Sequence, residues 1–84
     1  MERDQALGKY IVLKKQLYEL GIKAQALVND IQEETETFLS EKDFSTMDFD
    51  KVITLSNEVK KLQVDYAEKA QKFNELKETY NFTE

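Results

Sequence analysis

Carboxylates are the only reactive side chains this sequence carries in number: 17 Asp and Glu against 12 Lys and Arg, a formal charge of -5 on 84 residues. His and Cys are absent. Their absence removes the imidazole base, the Ser-His-Asp arrangement, the thiolate nucleophile, the disulfide scaffold and the sulfur-and-imidazole zinc site. Carboxylates alone could still hold a hard cation. Asp43, Ser45, Asp48 and Asp50 collect four oxygen donors around one point, but they do not follow a calcium-loop spacing and lack its glycine and terminal glutamate. Diiron sites in helical bundles need Glu-x-x-His pairs, which a chain without His cannot supply. The expectation is therefore no metal and no cofactor. No catalysis is expected either, because no base, nucleophile or oxyanion-holding arrangement can be named.

Cations offer a second chemistry. Lys9, Lys14, Lys15 and Lys23 are interleaved with Tyr10 and Tyr18, and basic groups beside an aromatic ring can hold an anionic ligand such as a nucleotide. Tyr10 falls on a core seam traced below, so Lys14, Lys15 and Tyr18 are the candidate ligand residues. Gly8 and Gly21 are the only glycines, too few for a phosphate-cradling loop. A net negative chain is a poor nucleic-acid partner. No run of 18 apolar residues occurs, and the start of the sequence leads into no signal-like stretch. A soluble protein with no membrane partner is expected, in the cytoplasm, or in that of the host if the source is a virus. Without a secretory signal, Asn81-Phe82-Thr83 is an idle match to a glycosylation acceptor.

The elements that must position these residues are helical. Pro is absent, and Gln, Glu, Lys, Leu and Ala run through both halves; these side chains lose little freedom in a helix. From Tyr10 the apolar positions step Leu13, Leu17, Leu20, Ala24, Leu27, Ile31 and Phe38, three and four apart, with Glu34 the one lapse. A second seam runs Val52, Leu55, Val59, Leu62, Tyr66, Phe73, Leu76 and Tyr80, interrupted at Lys69. Between them, residues 40–46 break the pattern with polar turn types. Ser45 reads as an N-cap, with Asp48 three residues on and Phe44 and Phe49 in the staple positions. This predicts one domain over residues 1–84: a helix over about 4–41, a turn over about 42–45 and a helix over about 46–80.

So short a turn makes the helices antiparallel neighbours. Centring the hairpin on position 43 pairs Ile31 with Leu55, Leu27 with Val59, Ala24 with Leu62, Leu20 with Tyr66, Leu13 with Phe73 and Tyr10 with Leu76. Leu17 then faces Lys69, whose stem should cover it while the ammonium reaches water. The fold class is all-α, a coiled-coil-like helical hairpin. One helix pair buries only a narrow strip, which argues for assembly into a four-helix bundle or a larger helical oligomer, a dimer being the simplest.

Leu7, Ile11, Tyr18 and Ile22 lie outside the seam and form the candidate oligomer interface, unless they merely broaden the intramolecular face or sit as scattered surface residues. Between Asn29 and Asp50 there are eight acidic residues against Lys42 alone, giving -7 and leaving +2 for the remainder. That tip is either a solvated, solubilising end or a dock for a basic protein surface, with Glu33, Glu34, Glu36, Glu41 and Asp43 as the docking residues. Leu55-Ser56-Asn57-Glu58-Val59 resembles part of the Ser-Gln-Glu-Leu-Asp signature of the small helical-hairpin phosphatases that act on sporulation response regulators. Lys60 stands where that signature ends in Asp, and no site residue is carried over. The leading expectation is a noncatalytic protein-protein interaction module: an adaptor, a small regulator or inhibitor, or an assembly factor. The alternative is a binder of a small anionic ligand held between protomers.

Overall fold

Two helices of this length persist because nothing in either segment removes a backbone donor or competes strongly for one. The structure, a computed structural model, describes residues 2–41, 45 and 47–83, the side chains of Thr37, Phe38 and Glu41 excepted. It is all-α: α1 spans Glu2–Glu41 and α2 spans Phe49–Tyr80. Arg3 meets Tyr80 at one end and Glu34 meets Lys51 at the other, so the helices run antiparallel as a hairpin of 61 × 19 × 15 Å.

The second helix starts later than the sequence predicts, and its cap is Asp48 rather than Ser45. The Asp48 carboxylate accepts the Lys51 N–H at 2.9 Å, and the Val52 N–H donates to the Asp48 carbonyl at 3.2 Å, the first full helical bond. A carboxylate at the positive end of a helix makes charge-assisted bonds to the free N–H groups there. Phe44, the other half of the expected staple, lies outside the described residues, and Phe49 is exposed.

The core sits at the open end, where the chain termini are. Ala6, Tyr10, Phe73 and Phe82 are buried together there, with Leu13, Leu17, Leu76 and Tyr80 packed half-buried around them. Tyr10 stacks on Phe73 with ring centroids 4.5 Å apart, and Phe82 lies 5.0 Å from Tyr10 and 5.5 Å from Tyr80. Aromatic pairs of this kind contribute about 0.5–1.5 kcal/mol each beyond the area they bury. Toward the turn, Leu27, Ile31, Val52, Leu55, Val59 and Leu62 are only half-buried.

The cross-helix contacts bracket the register. Tyr10 with Phe73, and Arg3 with Tyr80, centre between positions 41 and 42, whereas Glu34 with Lys51 centres between 42 and 43. A heptad seam fixes which face is apolar but not how far one helix slides along the other. Tyr66, placed by its spacing in the seam, is 45% exposed and lines a groove beside Leu20 and Ala24. Lys69 is half-buried, and its ammonium pairs with the Asp65 carboxylate one turn earlier.

Phe82 reaches the core through the end of α2. Asn81 takes the left-handed conformation at φ 54°, and the Phe82 N–H donates back to the Lys77 carbonyl at 3.1 Å. This reversal satisfies an orphan carbonyl of the last turn and turns the chain back toward α1. Arg3 then covers the joint: its guanidinium lies 5.0 Å from the Phe82 ring, and its Nη1 donates to the Tyr80 carbonyl at 2.7 Å.

Candidate interaction surface

Leu7, Ile11, Tyr18 and Ile22 are 41%, 58%, 71% and 50% exposed. At 3.6 residues per turn their directions fall within about 60° of one another, so they form one stripe along α1. The intramolecular core covers none of them. The row stands exposed in a chain that buries only five apolar residues among those described. Gly8 and Gly21 flank the row. A Cβ built at either meets nothing within 4 Å, so no packing within the chain requires a glycine at these helical positions.

The acidic end is more divided than its composition suggests. Glu33 and Glu36 are exposed, but Glu34 is half-buried and used within the hairpin. Its Oε1 accepts the Asp48 N–H at 3.3 Å and its Oε2 pairs with Lys51 Nζ at 3.3 Å, tying α1 to the start of α2. The lapse in the first seam is thus an inter-helix clamp. Asp43 and the Glu41 side chain lie outside the described residues. This end also shows apolar surface, Leu39 being 72% and Phe49 50% exposed, and of the two sequence reasoning missed Leu39. The signal for Leu39 was its place outside the seam.

Lys14 and Lys15 are exposed beside the α1 stripe, Lys15 lying 4.0 Å from Glu19. A groove between the helices on the side of Val12 and Leu13 has Lys9 and Lys72 among its lining residues. Among the described residues no three His, Cys, Asp or Glu side chains are grouped so as to hold a metal ion, and no helix is long and apolar enough to cross a membrane. Comparison with protein-family models, with curated proteins and with solved structures finds no match to this chain.

Proposed function

We propose that this chain is a noncatalytic interaction protein: a helical hairpin that self-associates through Leu7, Ile11, Tyr18 and Ile22 and uses its acidic turn end to engage a protein with a basic surface. The observation that carries the reading is the uncovered α1 stripe. At about 25 cal/mol per Å² of apolar surface removed from water, covering such a row offsets a substantial part of the entropy of ordering the two helices. A dimer is the smallest assembly that does so, and a four-helix bundle its natural form. The turn end carries the exposed acids Glu33, Glu36 and Asp50 and the exposed apolar Leu39 and Phe49. Charge there steers the encounter and the apolar pair supplies the holding surface.

Light scattering on a sizing column tests the association: a species of at least two chain masses at micromolar concentration supports it, and one chain mass refutes it. Replacing Glu33, Glu36 and Asp50 by Gln, Gln and Asn tests the dock, because binding of a basic partner protein should then weaken and lose its salt dependence.

The second reading is a small-ligand binder using Lys14, Lys15 and Tyr18. Tyr18 is highly exposed, and Lys14 stands one turn from it on the same helix. A rise in melting temperature on adding nucleotides supports this reading, and no rise across a panel of them counts against it.

A further inference from the structure

The two sides of the helix pair carry different chemistry. One side has a groove of about 1050 Å³ toward the open end and another of about 450 Å³ near the middle. At 3.6 residues per turn, Lys9, Val12, Lys23 and Ala26 fall within about 100° of one another on α1, and Glu58, Lys61, Lys72 and Leu76 within about 60° on α2, so both grooves open on the same side. Their floors are aliphatic: Val12, Leu13 and Leu76 in the first, Ala26, Leu27 and Leu62 in the second.

Their walls carry a lysine from each helix. Lys9 faces Lys72 in the first groove and Lys23 faces Lys61 in the second, with Glu75 and Glu58 also lining them. Four lysines and two glutamates leave +2 on this side of a chain whose formal charge is -5. Glu75 accepts a hydrogen bond from Gln71 Nε2 at 3.3 Å, and none of the four ammonium groups is in an ion pair among the described residues. Charges flanking the seam of a helix pair normally meet their opposites across it. Here cation stands over against cation at two levels, an arrangement from which the hairpin itself gains nothing. The groove on the other side, beside Gly21, Ala24 and Tyr66, has no charged residue among those that line it.

We infer that the lysine-walled side is a dock for a third helix, an acidic amphipathic helix of a partner protein. Its apolar stripe lies on Leu13, Leu27, Leu62 and Leu76, and carboxylates on both edges of the stripe reach Lys9, Lys23, Lys61 and Lys72. This is recognition of a helix in a groove, and a third helix covers leucines that the pair leaves half-buried. Lys9 and Lys23 are two heptads apart, about 21 Å, and Lys61 and Lys72 eleven residues apart, about 16 Å, so the carboxylates must span a similar length. The floor offers no aromatic ring on which a base could stack, and a lipid surface is too flat to enter a furrow between helices, so the surface fits a protein helix. The inference uses neither the α1 row nor the acidic turn end and stands apart from the proposal made for them.

The probe is a fluorescent peptide of about three heptads with Leu at a and d and Glu at e and g, titrated with the full chain and followed by anisotropy. Saturable binding that weakens as salt is added is expected. Replacing Lys9, Lys23, Lys61 and Lys72 together by Gln should weaken it about tenfold or more with the helical circular dichroism unchanged. Val12→Glu, at a position already 55% exposed, should abolish it with the four lysines in place, and decides the matter should the fourfold variant lose helix. A peptide with Lys at e and g, or one of scrambled order, should not bind. No saturation at millimolar concentration, equal binding of the scrambled peptide, or binding that survives Val12→Glu or the fourfold change in a folded chain would overturn the inference. So would capture of anionic vesicles or a single-stranded oligonucleotide in preference to the peptide.

Discussion

Glu34 and Lys51 join the two helices near the turn, carboxylate to ammonium at 3.3 Å, while the other oxygen of the same carboxylate accepts the Asp48 N–H. One acidic side chain thus both bridges the helices and takes up a backbone donor at the cap of the second. Lys51 is half exposed, so the ion pair itself is worth little, about 0.3–1 kcal/mol. Glu34→Ala should lower stability by about 1 kcal/mol once the lost backbone hydrogen bond is added. A double-mutant cycle with Lys51→Ala in urea melts should return a coupling of about 0.5 kcal/mol that shrinks in high salt. A coupling of zero at low salt would remove the clamp.

Phe82 is expected to matter more than its place near the end of the sequence suggests. Phe82→Ala should cost about 3 kcal/mol, seen as a large fall in the thermal midpoint, because it empties a buried position against Tyr10 and Tyr80. Asn81→Gly should be neutral or mildly stabilising, and Asn81→Ala should cost about 1 kcal/mol through the left-handed backbone that both must adopt. Equal effects of Gly and Ala at position 81 would mean that the reversal does not hold Phe82.

The Tyr10 hydroxyl is buried with no hydrogen-bond partner among the described residues. An unmet buried hydroxyl costs about 1–3 kcal/mol, so Tyr10→Phe should leave stability unchanged or raise it. A loss above about 1 kcal/mol in chemical denaturation would show that the hydroxyl has a partner in solution.

These residues show what was legible beforehand. The two helices, their antiparallel pairing and the exposure of Leu7, Ile11, Tyr18 and Ile22 follow from composition and from apolar spacing. Periodicity determines a face, and it did so for both helices. Axial slide is a different quantity: it depends on which large side chains interlock, and Tyr10 stacks on Phe73 with Leu76 packed against the same cluster. Phe82 was unreadable because it lies beyond the last seam position, and only the backbone turn at Asn81 brings it back. Glu34 counted as a break in the seam for the opposite reason. A charge at an apolar position looks like a defect until a lysine on the facing helix and a free backbone donor are both found beside it. Of the acidic end, composition gave the charge and hid the exposed Leu39.

Gly8 and Gly21 provide a contrast between the single chain and its assembly. Each lies inside α1 with open space where a Cβ would be, so Gly8→Ala and Gly21→Ala should each add about 1 kcal/mol of helix stability. Weaker self-association in the same variants, measured by dilution on a sizing column, is the expected companion effect. Stabilisation with association unchanged would place both glycines outside the shared surface.

The central claim, that the α1 row is an interface between copies, is tested most directly by sedimentation equilibrium of the unsubstituted chain beside Tyr18→Glu across the micromolar range. The account predicts twice the chain mass for the first, a single chain mass for the second, and the same helical content in both. A single chain mass for the unsubstituted protein throughout, or unaltered association of Tyr18→Glu, would contradict it.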